Sequence, residues 1–191
     1  MNTSLQPSPP SANRASYRIA LACLLALAAA SLWACRSTEL TSNPLPTVAK
    51  VEVDRYLGTW VQQALIPNRF QAMCVRNTTA TYARDGAGLS VLNRCTDADN
   101  KPVEAKGVAK IVEDSNNAKL RVSFFRPFYG DYWVLALDPD YQWVLVGEPK
   151  REFGWVLSRN AQLSDATYNT ILDKAVALGY DKARFVRSVN N

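Results

Sequence analysis

Short β-rich runs separated by turn residues recur through most of this sequence. From Gly58 onward a new run begins about every dozen residues, and the segments between runs carry turn residues such as Asp85-Gly86 and Asp138-Pro139. Runs of this length and spacing predict antiparallel strands joined by short connections. The predicted strands are Gly58–Leu65, Thr78–Arg84, Leu89–Arg94, Val103–Val112, Lys119–Phe124, Tyr132–Leu137, Trp143–Gly147 and Phe153–Ser158.

These eight predicted strands leave two architectures open. An antiparallel sheet of this size closes into an up-and-down barrel wide enough for one small ligand. Two stacked sheets use the same number of strands, so the strand count alone does not separate the alternatives. We predict an all-β fold, an eight-stranded antiparallel up-and-down β-barrel.

A single helical pattern follows the predicted strands. Ser164 is a favourable N-cap, apolar residues recur at helical spacing from Tyr168 to Leu178, and Gly179 ends the pattern. The pattern has one apolar face, so we expect this C-terminal helix to pack against the outside of the barrel. The run 182–189 behind it predicts a last edge strand.

The N-terminus has the pattern of an export signal. A polar stretch over residues 1–18 leads into the apolar run Ile19–Ala34, which is too short for a ~30 Å hydrocarbon core. The run ends Leu32-Trp33-Ala34-Cys35, which resembles a lipobox, and this predicts lipidation of Cys35. Cleavage after Ala30, which would leave Cys35 as a free thiol, is the alternative.

The predicted organisation follows from this signal. We assign residues 1–34 to a lipoprotein signal peptide, residues 35–50 to an extended tether, and residues 51–191 to the barrel domain. The membrane contact expected from this organisation is a lipid anchor at Cys35.

Several classes of function are excluded or unsupported. The sequence contains no histidine, which excludes a Ser-His-Asp triad, a Cys-His pair and any histidine-ligated metal site. No paired carboxylates fall on a predicted inward face, so we predict no enzyme activity, no catalytic residue, no cofactor and no metal. The formal net charge of +5 lies partly in the predicted signal and gives no support for binding nucleic acid.

The remaining cysteines predict a disulfide. One of the four leaves with the predicted signal and Cys35 takes the lipid, so Cys74 and Cys95 remain for an oxidising compartment. A two-residue turn at Asp85-Gly86 would place Cys95 opposite Arg76, so a β-bulge would be needed to close the bridge. Two buried free thiols are the alternative.

Three motifs in order resemble those of the lipocalin family. They are the runs Tyr56–Trp60, Tyr132–Asp138 and Trp155–Arg159. The resemblance implies a barrel whose closed end is plugged by Trp60 and crossed by Arg159, with Gly58 and Asp138 as further structural residues. The run Val122–Tyr132, together with the lipobox, is similar to the bacterial branch anchored in the outer membrane. That similarity implies an outer-membrane location on the periplasmic face.

The same motifs set which side chains point into the barrel. If Arg159 lies beneath Trp60, alternation along the strand directs Leu157, Trp155 and Phe153 inward. Charges on the strand 119–124 should face water, which sends Leu120, Val122 and Phe124 inside. For the strand 132–137 both faces are apolar, so the choice of Tyr132, Val134 and Ala136 over Trp133 and Leu135 stays open.

Candidate binding residues follow from this inward set and from the aromatic segment 125–129. The ligand-binding candidates are Phe124, Phe128, Tyr129, Tyr132, Phe153 and Trp155. Hydrogen-bond donors for a carboxylate or phosphate at the same rim are Arg126, Tyr129, Lys150 and Arg151. An apolar lining with few polar groups suits an acyl chain.

The expected function is therefore that of a lipid-anchored periplasmic lipocalin. It would bind, store or transport fatty acids or lysophospholipids at the outer membrane. A structural envelope lipoprotein with a filled barrel and a lipocalin-fold enzyme of the isomerase type are the alternatives. The interpretation also allows a homodimer.

Overall fold

The computed structural model describes residues 44–191. The predicted signal 1–34, Cys35 and the first part of the tether lie outside the described residues. The end of the predicted tether is packed: Leu45 is buried and Val48 donates a backbone hydrogen bond to Val134. Within the described range, none of the helices has the length and apolar character needed to cross a membrane.

Eight strands and one long helix make up most of the described chain. A short helix α1, Val53–Tyr56, precedes the first strand. The strands are β1 Gly58–Leu65, β2 Arg76–Asp85, β3 Gly88–Thr96, β4 Pro102–Ile111, β5 Lys119–Phe125, β6 Phe128–Leu137, β7 Trp143–Gly147 and β8 Gly154–Ser158. Helix α2, Asp165–Ala177, a 3₁₀ turn, Lys182–Arg184, and a short strand β9, Val186–Arg187, follow.

The sheet closes on itself. Each strand from β2 to β8 pairs antiparallel with the next, and β1 pairs with both β8 and β2. The barrel prediction is confirmed, and the two-sheet alternative is wrong because no open edge separates β1 from β2. Strand β9 pairs with the end of β1, where β2 no longer does, so the predicted last strand is confirmed but short.

The hairpin between β2 and β3 differs from the prediction by its turn. The turn residues are Gly86 and Ala87, and Asp85 pairs with Gly88; together with a register shift near the start of β2, this places Arg76 opposite Thr96 instead of Cys95. The expected bulge is present, since the register shifts between Arg76 and Thr79.

The predicted disulfide is present. Cys74 and Cys95 are bonded with their Cα atoms 5.5 Å apart. The bond ties the end of the β1–β2 connection to β3, and it excludes the alternative of two free thiols.

Helix α2 packs where the sequence predicts. The hydroxyl of Ser164 accepts a hydrogen bond from the Thr167 amide, which confirms the N-cap, and Gly179 with a φ of +86° follows the end. The apolar face of the helix, including Ile171, contacts an outer layer of the barrel that contains Leu145. The helix therefore covers one side of the barrel.

Strand β6 resolves the face that the sequence left open. Tyr132 and Val134 belong to the inner cluster. Ala136 does not join them, because a register shift between Val134 and Ala136 places both Leu135 and Ala136 in the outer cluster. Leu137 returns to the inner cluster after this bulge.

Candidate functional site

One end of the barrel is closed by an indole and a guanidinium. The Trp60 side chain is fully buried, and its Nε1 donates to the Tyr56 carbonyl oxygen at 2.9 Å. The Arg159 Cζ lies 3.8 Å from the centroid of the Trp60 ring, which is the geometry of a cation–π contact. This end of the barrel therefore holds the scaffold together.

The Arg159 guanidinium also binds the backbone that enters the barrel. It donates to the carbonyl oxygens of Arg55, Leu57 and Thr59, each at 2.8 Å. Desolvation lowers the pKa of Arg159 from its ordinary value, but that value is so high that the side chain stays charged near neutral pH. Gly58, with a φ of +90°, lies between two of these carbonyls and permits the turn into β1.

Asp138 has a structural role at the same end. Its carboxylate accepts from the amides of Asp140 and Gln142, at 3.1 and 3.2 Å. These bonds shape the turn between β6 and β7, in which Tyr141 adopts a φ of +58°. Asp138 therefore fixes a connection and touches none of the predicted binding residues.

Above this closed end, three tyrosine hydroxyls meet inside the barrel. Tyr132 lies between the others, 2.8 Å from the hydroxyl of Tyr56 and 2.9 Å from that of Tyr82, which donates to it. Desolvation by burial raises the pKa of Tyr82 to about 12 and raises the pKa values of Tyr56 and Tyr132 well above their ordinary value. All three hydroxyls are therefore neutral, and we call them the tyrosine floor.

Small side chains line one wall above the tyrosine floor. Ala109 belongs to the inner cluster, and alternation along β4 directs Gly107 and Ala105 to the same face. Ala105 is exposed to solvent although it faces inward, and Ala80 on β2 is only partly buried. The inner face of this wall is therefore incompletely covered toward the other end of the barrel.

The mouth is crossed by a chain of side-chain hydrogen bonds. Trp155 Nε1 donates to the Gln71 side-chain oxygen at 2.7 Å, and the Gln71 side-chain nitrogen, Nε2, donates to the Gln62 side-chain oxygen at 3.0 Å. Gln62 in turn donates to the Ser188 hydroxyl at 2.9 Å. The connection between β1 and β2 is thus fastened over the inward-facing indole.

Aromatic rings continue from Trp155 to the rim. The Phe153 ring stacks on Trp155 with centroids 6.2 Å apart and also contacts Phe70 at 5.9 Å. The buried Glu148 holds this loop, because its carboxylate accepts from the backbone amides of Lys150 and Phe153. Phe70 itself is 63% exposed, so the rings run from the interior to solvent.

The rim has an exposed apolar surface on two connections. Phe125 and Phe128 stack at 6.2 Å while each is at least 70% exposed. Phe124 is 46% exposed and packs on the backbone of Gly107. We call the exposed side chains at this end the apolar rim: Phe70, Met73, Val75, Phe124, Phe125 and Phe128.

Comparison with known proteins agrees with this architecture. Residues 51–190 match the family model of a lipocalin-like domain. This chain is a lipocalin. Temperature-induced lipocalin-1 of Arabidopsis thaliana is 39% identical over 145 residues, which cover 72% of this chain and 78% of that protein. The outer membrane lipoprotein Blc of Escherichia coli strain K12 is 38% identical over 152 residues, covering 76% and 85%.

Solved lipocalin-fold structures share the architecture at lower identity. Insecticyanin of the tobacco hornworm Manduca sexta superposes with a TM-score of 0.63 at 20% identity, covering 77% of this chain and 85% of that one. Lobster apocrustacyanin A1 gives 0.61 at 18% identity, covering 78% and 91%. These two likenesses support the fold.

The lipocalin fold brings together most, but not all, of the predicted binding residues. Tyr132 is in the tyrosine floor, Trp155 and Phe153 are at the mouth, and Phe124 and Phe128 are in the apolar rim.

Two predicted rim donors are elsewhere. Tyr129 is on the outer wall, where its ring lies 5.0 Å from Lys110 Nζ and 5.8 Å from Arg121 Cζ. Alternation from the inward Tyr132 explains this, since residues an odd number of positions apart face opposite ways. The Arg151 Nε donates to the Leu178 carbonyl at 2.7 Å, at the end of α2. Arg126 and Lys150 are exposed near the rim, as predicted.

Sequence reasoning missed part of the interior of this lipocalin. Tyr56 and Tyr82 were not among the candidates, although they complete the tyrosine floor. Alternation from Trp60 and its partner Ala80 would have directed Tyr82 inward. The roles of Gln71 and Phe70 had no local signal, because a connection folds over the mouth only through contacts with distant strands.

Proposed function

We propose that this lipocalin is a lipid-anchored periplasmic protein of the outer membrane that binds fatty acids or lysophospholipids and stores or transports them. The observation that carries the proposal is a barrel that is closed at one end and accessible at the other. Aromatic side chains run from the apolar rim through Phe153 to the inward-facing Trp155, and the tyrosine floor lies inside the same barrel.

The chemistry of this path favours an elongated apolar ligand. Each buried methylene contributes about 0.8 kcal/mol, so an acyl chain along the small-residue wall would supply most of the binding free energy. The polar groups at the mouth, such as Gln71, already bond one another, whereas Arg126 and Lys150 are exposed. A carboxylate or phosphate headgroup would therefore remain at the mouth, beside these cations.

The apolar rim supports exchange of ligand with a membrane. Phe125 and Phe128 present stacked, exposed rings beside the cationic Arg126. Aromatic rings bordered by cations suit the interface of a bilayer that contains anionic lipid. In this orientation the mouth would open toward the acyl chains.

The N-terminal pattern and the name of a relative support the proposed location. Cys35 at the end of the lipobox supplies the anchor in this proposal, and a relative carries the name outer membrane lipoprotein. The closed floor and apolar path also favour a binding protein over an enzyme, because the inward tyrosines are held neutral by burial.

Native mass spectrometry of the full chain purified from membranes tests the binding role. We expect co-purifying fatty acid or lysophospholipid at one molecule per barrel. A barrel that is empty and also refuses added hexadecanoate would contradict the proposal and favour the structural lipoprotein with a filled interior. The same spectra measure whether the chain is a monomer or a homodimer, both of which the sequence allows.

The anchor has its own test. Cys35→Ser should release the domain into the soluble periplasmic fraction, as measured by fractionation and immunoblotting. Continued membrane association of that variant would contradict lipid anchoring at this residue, with Cys74→Ser as the matched control for loss of a cysteine.

A further inference from the structure

The tyrosine floor contains more hydrogen-bond donors than its own contacts use. Its three hydroxyls carry three hydrogens, and two hydrogen bonds join them, from Tyr82 to Tyr132 and between Tyr132 and Tyr56. Two bonds consume two hydrogens whichever way each one points. One hydroxyl hydrogen is therefore left over inside the barrel.

Burial indicates which hydroxyl carries this hydrogen. Tyr56 and Tyr82 are 2% and 3% exposed, whereas Tyr132 is only partly buried. A hydroxyl hydrogen without a partner costs least on the side chain that still borders accessible space, even where the hydroxyl itself is desolvated. The favoured arrangement has Tyr56 and Tyr82 both donating to Tyr132, which directs its own hydrogen into the barrel. Tyr132 is then a donor held in place by two neighbours.

From this arrangement we propose that the tyrosine floor recognises a neutral oxygen atom, a hydroxyl or a carbonyl, at the buried end of an elongated apolar ligand. The inference rests on the proposed binding function and adds the chemistry of the ligand's far end. Tyr132 donates to that oxygen, while the small and incompletely buried side chains of Ala80 and Ala105 leave room for the apolar body.

A hydroxyl complements the floor on both sides. The oxygen of the ligand hydroxyl accepts from Tyr132. Its hydrogen can bond the oxygen of Tyr56 or Tyr82, because neither of these oxygens accepts a hydrogen bond in the favoured arrangement. A terminal methyl would instead leave the Tyr132 hydrogen unpaired in a largely desolvated place. The floor therefore favours an oxygen over a methyl at this position.

A charged group does not fit the floor. Burying an ionised carboxylate is costly unless it is paired with a cation. The Arg159 guanidinium is not available as that cation, because it lies beneath Trp60 and donates to three backbone carbonyls. The ligand's charge thus stays at the mouth and a neutral oxygen goes to the floor.

Two probes that differ only at the far end test this inference. Hexadecanoate and 16-hydroxyhexadecanoate share the carboxylate and the chain length, and isothermal titration of the delipidated full chain gives a Kd for each. We expect 16-hydroxyhexadecanoate to bind the unmodified protein at least as tightly as hexadecanoate. In Tyr132→Phe the ratio of its Kd to that of hexadecanoate should rise about tenfold.

Tyr82→Phe is the matched control. It removes one hydroxyl of the same floor but leaves the Tyr132 hydrogen in place, so the ratio of the two Kd values should stay within about twofold of the unmodified protein. Circular dichroism shows whether each variant is folded. If Tyr132→Phe does not fold, the inference is tested by the ratio of the two Kd values in the unmodified protein alone.

The outcomes separate this inference from the proposed function. If hexadecanoate binds but 16-hydroxyhexadecanoate binds more than tenfold more weakly, the inference is overturned and the proposed function stands. An equal effect of Tyr132→Phe on both probes also overturns the inference. Failure of both probes to bind the unmodified protein overturns both.

Discussion

The two ends of the barrel use aromatic side chains in opposite ways. At the closed end Trp60 is fully buried, with its indole nitrogen hydrogen-bonded and its ring covered by Arg159. At the open end Phe125 and Phe128 are stacked on each other and left largely exposed. The same kind of surface thus stabilises the fold at one end and remains available for contacts at the other.

This difference teaches how to separate stability from function in this lipocalin. Substitutions at the closed end should change the free energy of unfolding, because the polar groups of Trp60 and Arg159 there bond protein partners whose loss is felt. Substitutions at the open end should change binding, because the rings there have no covering layer among the described residues.

The largest expected effect is at the closed end. Trp60→Ala should lower the free energy of unfolding by about 3–5 kcal/mol, because it empties a fully buried site and exposes the Arg159 guanidinium to the cavity. Urea unfolding followed by circular dichroism measures it. Phe128→Ala at the rim is the control, with an expected change within about 0.5 kcal/mol. Equal losses in the two variants would contradict the division between the ends.

High pH should weaken the same end. Unfolded tyrosines ionise near pH 10, whereas burial raises the pKa of Tyr82 to about 12 and those of Tyr56 and Tyr132 well above the ordinary value. The folded state then keeps protons that the unfolded state loses. This stability is complete below about pH 10 and declines above it, by about 1.4 kcal/mol per pH unit for each tyrosine.

Urea unfolding at a series of pH values from about 9 to 11.5 checks the alkaline decline. In Tyr82→Phe the free energy of unfolding should fall less steeply with pH, because one of the three titrating tyrosines is removed. A slope that does not change in this variant would show that Tyr82 titrates normally in the fold.

A smaller effect is expected at the mouth. Trp155→Ala should weaken binding of a fluorescent fatty acid about tenfold, or on the order of 1–2 kcal/mol, because the indole faces inward and fastens Gln71 over the mouth. Trp133→Ala is the matched control, since that indole packs on the outer wall with Lys119 Nζ 4.0 Å from its ring centroid. Loss of affinity in the control alone would place the ligand outside the barrel.

The smallest effect concerns the membrane. Phe125→Ser should reduce partitioning of the full chain onto vesicles containing phosphatidylglycerol by about fivefold, because it removes roughly 1 kcal/mol of apolar contact. Co-sedimentation with the vesicles measures it. Val176→Ser on α2, where the side chain is 46% exposed, should leave partitioning unchanged. If both variants partition equally, the apolar rim is not the surface that meets the bilayer.

Most of the fold could be predicted because its signals are local. The alternating runs gave β1 and β7 with the observed ends, and the first and third motifs placed Trp60 next to Arg159. The binding path was predicted in part. Trp155 and Phe153 followed from alternation along one strand, whereas Tyr129 was assigned to the rim by its neighbours in sequence and lies on the outer wall.

Taken by itself, the sequence predicted the strands from alternation and turn chemistry and the disulfide partners from the cysteine count, and its resemblance to the lipocalin family predicted the closing pair Trp60 and Arg159. Only the tertiary structure decided which face Ala136 takes and which hydroxyls surround Tyr132. A bulge reverses the alternation beyond it, and the floor joins α1, β2 and β6, whose contacts form only when the sheet closes.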